Sequence, residues 1–152
     1  MEYSILDFLK TFGINTKTNF DLKEHADFLN LKLKVLMNNE LYKIKNTKKH
    51  NVIINLQNSD KKGSHWVCIK DRKYYFDPYG IKPTKEVENF LDRSNGSRED
   101  PDENYSYNTL QVQPNETKIC GILCLYMLYK LEKGDNFVDI ILEIHEELEN
   151  LL

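Results

Sequence analysis

Cysteine is scarce in this chain, three residues in 152. An odd three cannot supply the fully paired framework on which small exported domains depend. Glycine stands at six and proline at four, beside 40% hydrophobic and 30% charged residues, the make-up of a soluble globular domain. No apolar run approaches the roughly 18–20 residues of a membrane span. An excess of positive charge is missing too. Lys and Arg number 21 against 24 Asp and Glu, a net −3, which argues against a protein that coats nucleic acid through phosphate contacts. The opening Met1-Glu2-Tyr3-Ser4-Ile5-Leu6-Asp7 carries acids where an export signal places Lys or Arg. The expectation is an intracellular, reduced enzyme or binding domain, neither secreted nor membrane-bound. One domain spanning 1–152 is expected, since a chain of this length buries roughly 70% of its unfolded surface without a disulfide or metal staple.

Ile5, Leu6, Phe8, Leu9 and Phe12 fall at helical spacing and end at Gly13, a short amphipathic helix with a glycine stop. Asp21–Phe28 allows a helical turn or two, and Leu31–Val35 alternates like a strand. Lys43, Lys45, Lys48, Lys49 and His50 form a mild basic cluster, read as a solvated loop, with an anion contact as the competing reading. Val52–Leu56, His65–Ile69 and Tyr74–Phe76 read as three strands separated by the polar turns Asn58–Gly63 and Asp71–Lys73. That pattern predicts an antiparallel meander. Thr84–Leu91 reads as a helix, Ser94–Asn104 as a surface loop, and Tyr107–Val112 as a further strand. Residues 119–131 are apolar on nearly every side, so that helix belongs inside the protein. A last helix, capped by Asp135 or Asn136, buries Phe137, Ile140, Ile141, Ile144 and Leu148. The expected class is α+β, a small, mostly antiparallel central sheet wrapped by helices, with a buried central helix starting at Cys120.

Cys120 stands at the start of that helix, where unpaired N–H groups and a partial positive charge favour thiolate. Gly121 would open the backbone beside the sulfur to a substrate. A buried structural cysteine is the bland alternative. A nucleophilic thiol needs a base that is also a cation partner, and His65 opens a strand with the right chemistry. If the turn is Asp71–Lys73, paired positions sum to 144. His65 then faces Tyr79, and Asp77 is its diagonal neighbour on the same face, within reach of the imidazole. An odd sum would separate them, and Asp71 is the rival carboxylate, carried away by the turn. Gln113, seven residues before Cys120, can join the Cys120 N–H as an oxyanion donor, with Gln111 as second choice.

His65-Trp66, Asp77-Pro78-Tyr79-Gly80, Gln113-Pro114-Asn115 and Cys120-Gly121, in that order, resemble the cysteine-protease clan of adenain-type and SUMO-specific proteases. The likeness is closer to the adenain-type proteases of viruses, virophages and Maverick/Polinton transposons. It rests on Asn55-Leu56, Gly63–Val67, Tyr74–Gly80, Tyr107–Pro114 and Cys120–Tyr126, about half the chain. The resemblance implies His65 as base, Asp77 as orienting acid, Gln113 as oxyanion donor and Cys120 as nucleophile. It also implies that Trp66 walls a narrow groove admitting glycine beside the scissile bond. The acid is Asp where the adenovirus enzyme has Glu, as in SUMO proteases. The seven-residue Gln-to-Cys interval is that of adenain, where SUMO proteases usually have six.

Cys124 shares a helix face with Cys120, yet no further ligand pair has zinc-like spacing. Cys68 reads as packing, and His25, His50 and His145 as surface residues. The resemblance therefore implies an endopeptidase without cofactor or metal that cuts viral or transposon capsid precursors at glycine-containing sites, in the virion and in infected-cell cytoplasm or virus factories. The alternatives are a same-clan protease acting on host ubiquitin-like conjugates, and an inactive peptide-binding, capsid-associated domain. A monomer is expected, with no membrane partner and no strong nucleic-acid binding. A disulfide-linked activating peptide, as adenain uses, is not expected, since residues 78–119 hold no cysteine. A non-covalent peptide along the sheet edge stays open.

Overall fold

Alternation along residues 51–76 sorts the strands' side chains onto two faces, and the fold follows from what covers each. The structure is a computed structural model that describes residues 2–44, 50–56, 65–94 and 105–151, without the side chains of Arg93 and Ser94. Helix α1 (Ile5–Phe12) starts in a reciprocal capping box between Ser4 and Asp7, and Gly13 ends it at φ 86°. Helix α2 (Asn19–Phe28) opens the same way with Thr18 and Asp21. Strand β1 (Lys34–Met37) runs into a 3₁₀ helix, Asn38–Lys43. Strands β2 (Asn51–Asn55), β3 (Trp66–Lys70) and β4 (Tyr74–Phe76) form the expected meander. Helix α3 (Lys85–Ser94) follows, then β5 (Ser106–Tyr107), α4 (Cys120–Glu132) and α5 (Phe137–Asn150).

The five strands lie in sequence order, with β2–β3 and β3–β4 antiparallel but β1–β2 and β4–β5 parallel. The class is α+β, and the sheet is mixed rather than mostly antiparallel. The reason is that both outer strands arrive by long connections, which do not impose the reversal a tight turn does. Residues 107–112 make a second correction. Of the described residues after α3, only Ser106 and Tyr107 pair with β4, and the chain then leaves the ladder to cross the turn after β4.

On one face Ile53, Trp66, Cys68 and Phe76 pack against α4, with α1, α2 and α5 around it. On the other, Val52, Ile54, Val67, Ile69 and Tyr75 meet Leu41 and Ile44 and the α3 residues Val87, Phe90 and Leu91. Cys120 through Lys130 are all buried, so α4 is the hydrophobic centre, as its sequence requires. Asn136 caps α5, whose buried stripe is Phe137, Ile140, Ile141, Ile144 and Leu148. No helix among the described residues is long and apolar enough to cross a membrane. The Asn58–Gly63 turn, the lysines 45, 48 and 49 of the basic cluster and nearly all of the 94–104 loop lie outside the described residues.

Candidate functional site

The β3–β4 ladder pairs Cys68 with Phe76, Ile69 with Tyr75 and Lys70 with Tyr74. Every pair sums to 144, the register that carries His65 toward Tyr79. His65 immediately precedes β3 and Asp77 immediately follows β4, so both stand at the same corner of the sheet. His65 Nε2 lies 2.8 Å from Asp77 Oδ1. An ionised carboxylate only accepts, so Nε2 carries the proton and donates. Asp77 is fully buried. Its Oδ1 also accepts from the Tyr79 N–H at 2.8 Å, while Oδ2 has no hydrogen-bond partner among the described residues. The Tyr79 ring covers the imidazole, centroids 4.9 Å apart and planes 30° from parallel. Asp71 points elsewhere, toward Lys70 Nζ at 3.6 Å.

With Nε2 committed to Asp77, Nδ1 is the ring nitrogen left to face a thiol. It is buried and has no partner within hydrogen-bond distance among the described residues. Cys120 still acts on the ring. Burial alone would depress the imidazole pKa, but the hydrogen bond to Asp77 and the nearby Cys120 sulfur, with the charge of each, override it and raise the value to about 9. His65 is therefore protonated at neutral pH. Cys120 is the first residue of α4, and Ile119 before it supplies no side-chain cap. The positive end of a buried helix therefore adjoins the sulfur.

Gln113 comes to the same corner by a separate route. After β5 the chain forms a strap across the Asp77–Gly80 turn. The N–H groups of Val112 and Gln113 both donate to Pro78 O, at 2.9 and 3.0 Å. The Gln113 side chain is buried, and its Nε2 faces Thr117 O at 3.0 Å and Thr117 Oγ1 at 3.1 Å. Thr117 is held in turn by its hydroxyl on Pro114 O, 2.7 Å. Gln111, the second choice, is exposed, with Nε2 on Gln113 O at 2.9 Å and Asn115 Oδ1 at 2.8 Å. Burial distinguishes the two glutamines where spacing could only rank them.

Gly121 has a different reason to be glycine from the expected one. A Cβ there would stand 3.2 Å from Leu22 Cδ2, 3.3 Å from Trp66 Cδ1 and 3.4 Å from Lys17 Cβ. The protein's own side chains surround the place a Cβ would take. Trp66 is only 4% exposed and belongs to the core around Cys120, and its Nε1 donates to Lys17 O at 3.0 Å. The indole thereby ties the α1–α2 connection to the start of α4.

Cys68 and Cys124 are buried. The Cys124 thiol points to Trp66 O at 3.4 Å, and burial pushes its pKa well up, so it stays protonated. Among the described residues no group of three or more His, Cys, Asp or Glu could hold a metal ion. The three other histidines are half-buried rather than fully exposed. His25 stacks on Phe12 at 4.4 Å, and His145 lies 3.3 Å from Glu149. Sequence reasoning assigned no role to Tyr79, Asn108 or Thr117. Register pointed to Tyr79 as the partner of His65, and Thr117 stands four residues from Gln113, but nothing distinguished Asn108 among the chain's asparagines. No protein-family model matches this chain, and no curated protein matches it either.

Proposed function

We propose that the chain is an adenain-like cysteine endopeptidase that processes capsid precursors of a virus or transposon at glycine-containing sites. The observation that carries this reading is the order Asp77–His65–Cys120. A buried carboxylate holds Nε2 at 2.8 Å, and a thiol at the uncapped start of a buried helix contributes to keeping the imidazole charged. An imidazolium beside a helix N-terminus is the setting in which a cysteine reacts as thiolate near neutral pH. The protein-substrate class rests on the motif order and on the Gln113 strap.

In this reaction the Cys120 thiolate adds to the scissile carbonyl carbon. The resulting oxyanion is held by the Cys120 N–H and by the Gln113 amide, which turns one of its N–H bonds from Thr117 toward it. The His65 imidazolium protonates the departing amine as the C–N bond breaks, leaving a thioester and a neutral imidazole. Water then adds to the thioester, giving its proton to His65, and collapse expels the thiolate. Asp77 keeps the ring in the one tautomer that presents Nδ1 to sulfur and substrate.

The test offers purified protein glycine-site peptides, ubiquitin-like conjugates and co-expressed capsid precursors, with sequencing of new termini. Cleavage of peptides or precursors, lost in Cys120→Ala while the variant stays folded, is the expected result. Cleavage confined to the conjugates would reassign the substrate. Absence of both cleavage and labelling of Cys120 by a peptide electrophile would end the enzyme reading.

A further inference from the structure

Asn108 is buried and faces the backbone of the acid, not solvent or substrate. Its Oδ1 accepts from the Asp77 N–H at 3.0 Å. Its Nδ2 donates to Asp77 O at 2.7 Å and to Leu110 O at 3.2 Å. An N–H requires an acceptor and the two carbonyls require a donor, so the orientation of the amide is dictated. Asp77 O takes a second hydrogen bond from Gly80 N at 2.8 Å. Both peptide groups of one residue are thereby clamped by a single side chain 31 positions away, at the point where the short β4 has already ended. Asp77 needs such a hold. The last ladder pair of β4 is Cys68–Phe76, so the sheet itself does not fix the residue after it, and among the described residues only Oδ1 of the carboxylate has partners.

We propose that Asn108 is a positioning residue, a clasp that aims the Asp77 carboxylate at His65 and fastens the acid turn to the strap bearing Gln113. The proposal rests on the endopeptidase reading for its catalytic consequence, but its structural core does not. A buried amide pairing with both backbone groups of one residue fixes that residue's φ and ψ and so the exit direction of its side chain. Without it, the Asp77 N–H loses its acceptor and the Asp77 carbonyl keeps only the Gly80 N–H, so the turn is free to rotate the carboxylate off the imidazole. The groups facing His65 are Asp77, Cys120 and the Tyr79 ring. Of these, the clasp acts on Asp77 directly.

The experiment uses Asn108→Ala and the nearly isosteric Asn108→Leu in the full chain. Two readouts are followed, the His65 titration midpoint from imidazole ¹⁵N NMR and the kinetics on whichever peptide the wild type cleaves. A positioning role predicts a midpoint lower by at least about one pH unit, moving toward that of an ordinary histidine. It also predicts kcat lower by roughly tenfold or more, with KM within about threefold, because orientation of the acid matters in the transition state rather than in binding. A folded variant with an unmoved midpoint and kcat within about twofold of wild type would overturn the proposal. So would failure of both variants to fold, which would make Asn108 a folding residue. If the wild type cleaves nothing, the endopeptidase reading fails by itself, and the NMR midpoint still decides for or against the clasp.

Discussion

Gly80 and Thr109 meet backbone to backbone. A Cβ on Gly80 would lie 2.6 Å from the Thr109 carbonyl oxygen and 2.9 Å from Leu110 C, and Gly80 has φ +72° besides. The turn that carries Asp77 and the strap that carries Gln113 are therefore in direct contact, and Gly80 is the place where no side chain fits.

Gly80→Ala should be costly twice over, from the left-handed backbone and from the collision with main-chain atoms that cannot swing aside. Together these amount to about 2–4 kcal/mol, or a Tm lower by roughly 5–12 °C for a chain of this size. Thermal unfolding measures it. A variant as stable as wild type would mean the strap yields easily and cannot be what positions Gln113.

The His65 pKa, raised to about 9 from an ordinary 6.5, fixes the sign of a pH effect. The folded protein holds the proton more tightly than the unfolded chain. Its stabilising contribution is therefore full below pH 6.5 and is lost as pH rises through about 9. Thermal melts between pH 6.5 and 9.5 should show stability falling in wild type more steeply than in His65→Gln. In the proposed reaction the same proton goes to the leaving group, so the alkaline limb of kcat/KM is expected near pH 9. A limb near 6.5 would mean Asp77 and Cys120 do not hold the imidazolium together.

Gln113→Ala should lower kcat roughly 10²-fold, the scale for losing one oxyanion donor, with KM little changed. Gln111→Ala should stay within about threefold, because its exposed amide serves Gln113 O and Asn115. Steady-state kinetics on one peptide compares them. The opposite ranking would move the oxyanion donor to Gln111.

Gly121→Ala places a methyl at 3.2–3.4 Å from Leu22, Trp66 and Lys17, close enough to force repacking rather than to exclude it. A destabilisation of about 1–3 kcal/mol is expected. Because Trp66 bonds Lys17 O, the α1–α2 connection should shift with it. Denaturant midpoints check the first effect. Faster proteolytic nicking between residues 13 and 18 checks the second, and wild-type resistance there would refute it.

Much of this arrangement was legible before any coordinates. Residues 119–131 could only be an interior helix, and the tight turn Asp71–Lys73 set a pairing sum that brings His65 and Asp77 to one corner. What stayed hidden came from long connections and from the backbone. The parallel pairings of β1 and β5 depend on where chains return after crossing the sheet, which short-range alternation does not encode. Tyr107–Val112 has strand-like composition, yet the N–H of Val112, like that of Gln113 after it, turns to Pro78 O instead of a neighbouring strand. The role of Asn108 lies in backbone groups of Asp77, and every residue has those. Gly121 reads in the sequence as an opening for a substrate, and composition alone could not say that Leu22, Trp66 and Lys17 surround the place of its missing Cβ.

Cys120 is the first residue of the helix whose remaining turns form the middle of the core. The sulfur therefore sits on a piston rather than on a loop. Its height above the sheet is set by Leu123, Met127 and every other contact down the length of α4. Small volume changes deep in the interior, far from His65, will advance or retract the thiol along the helix axis. A screen for loss of the proposed peptidase activity should accordingly collect substitutions along the buried length of α4 whose fold survives and whose substrate binding is intact. Those positions form a ruler for how finely the reacting atom must be placed.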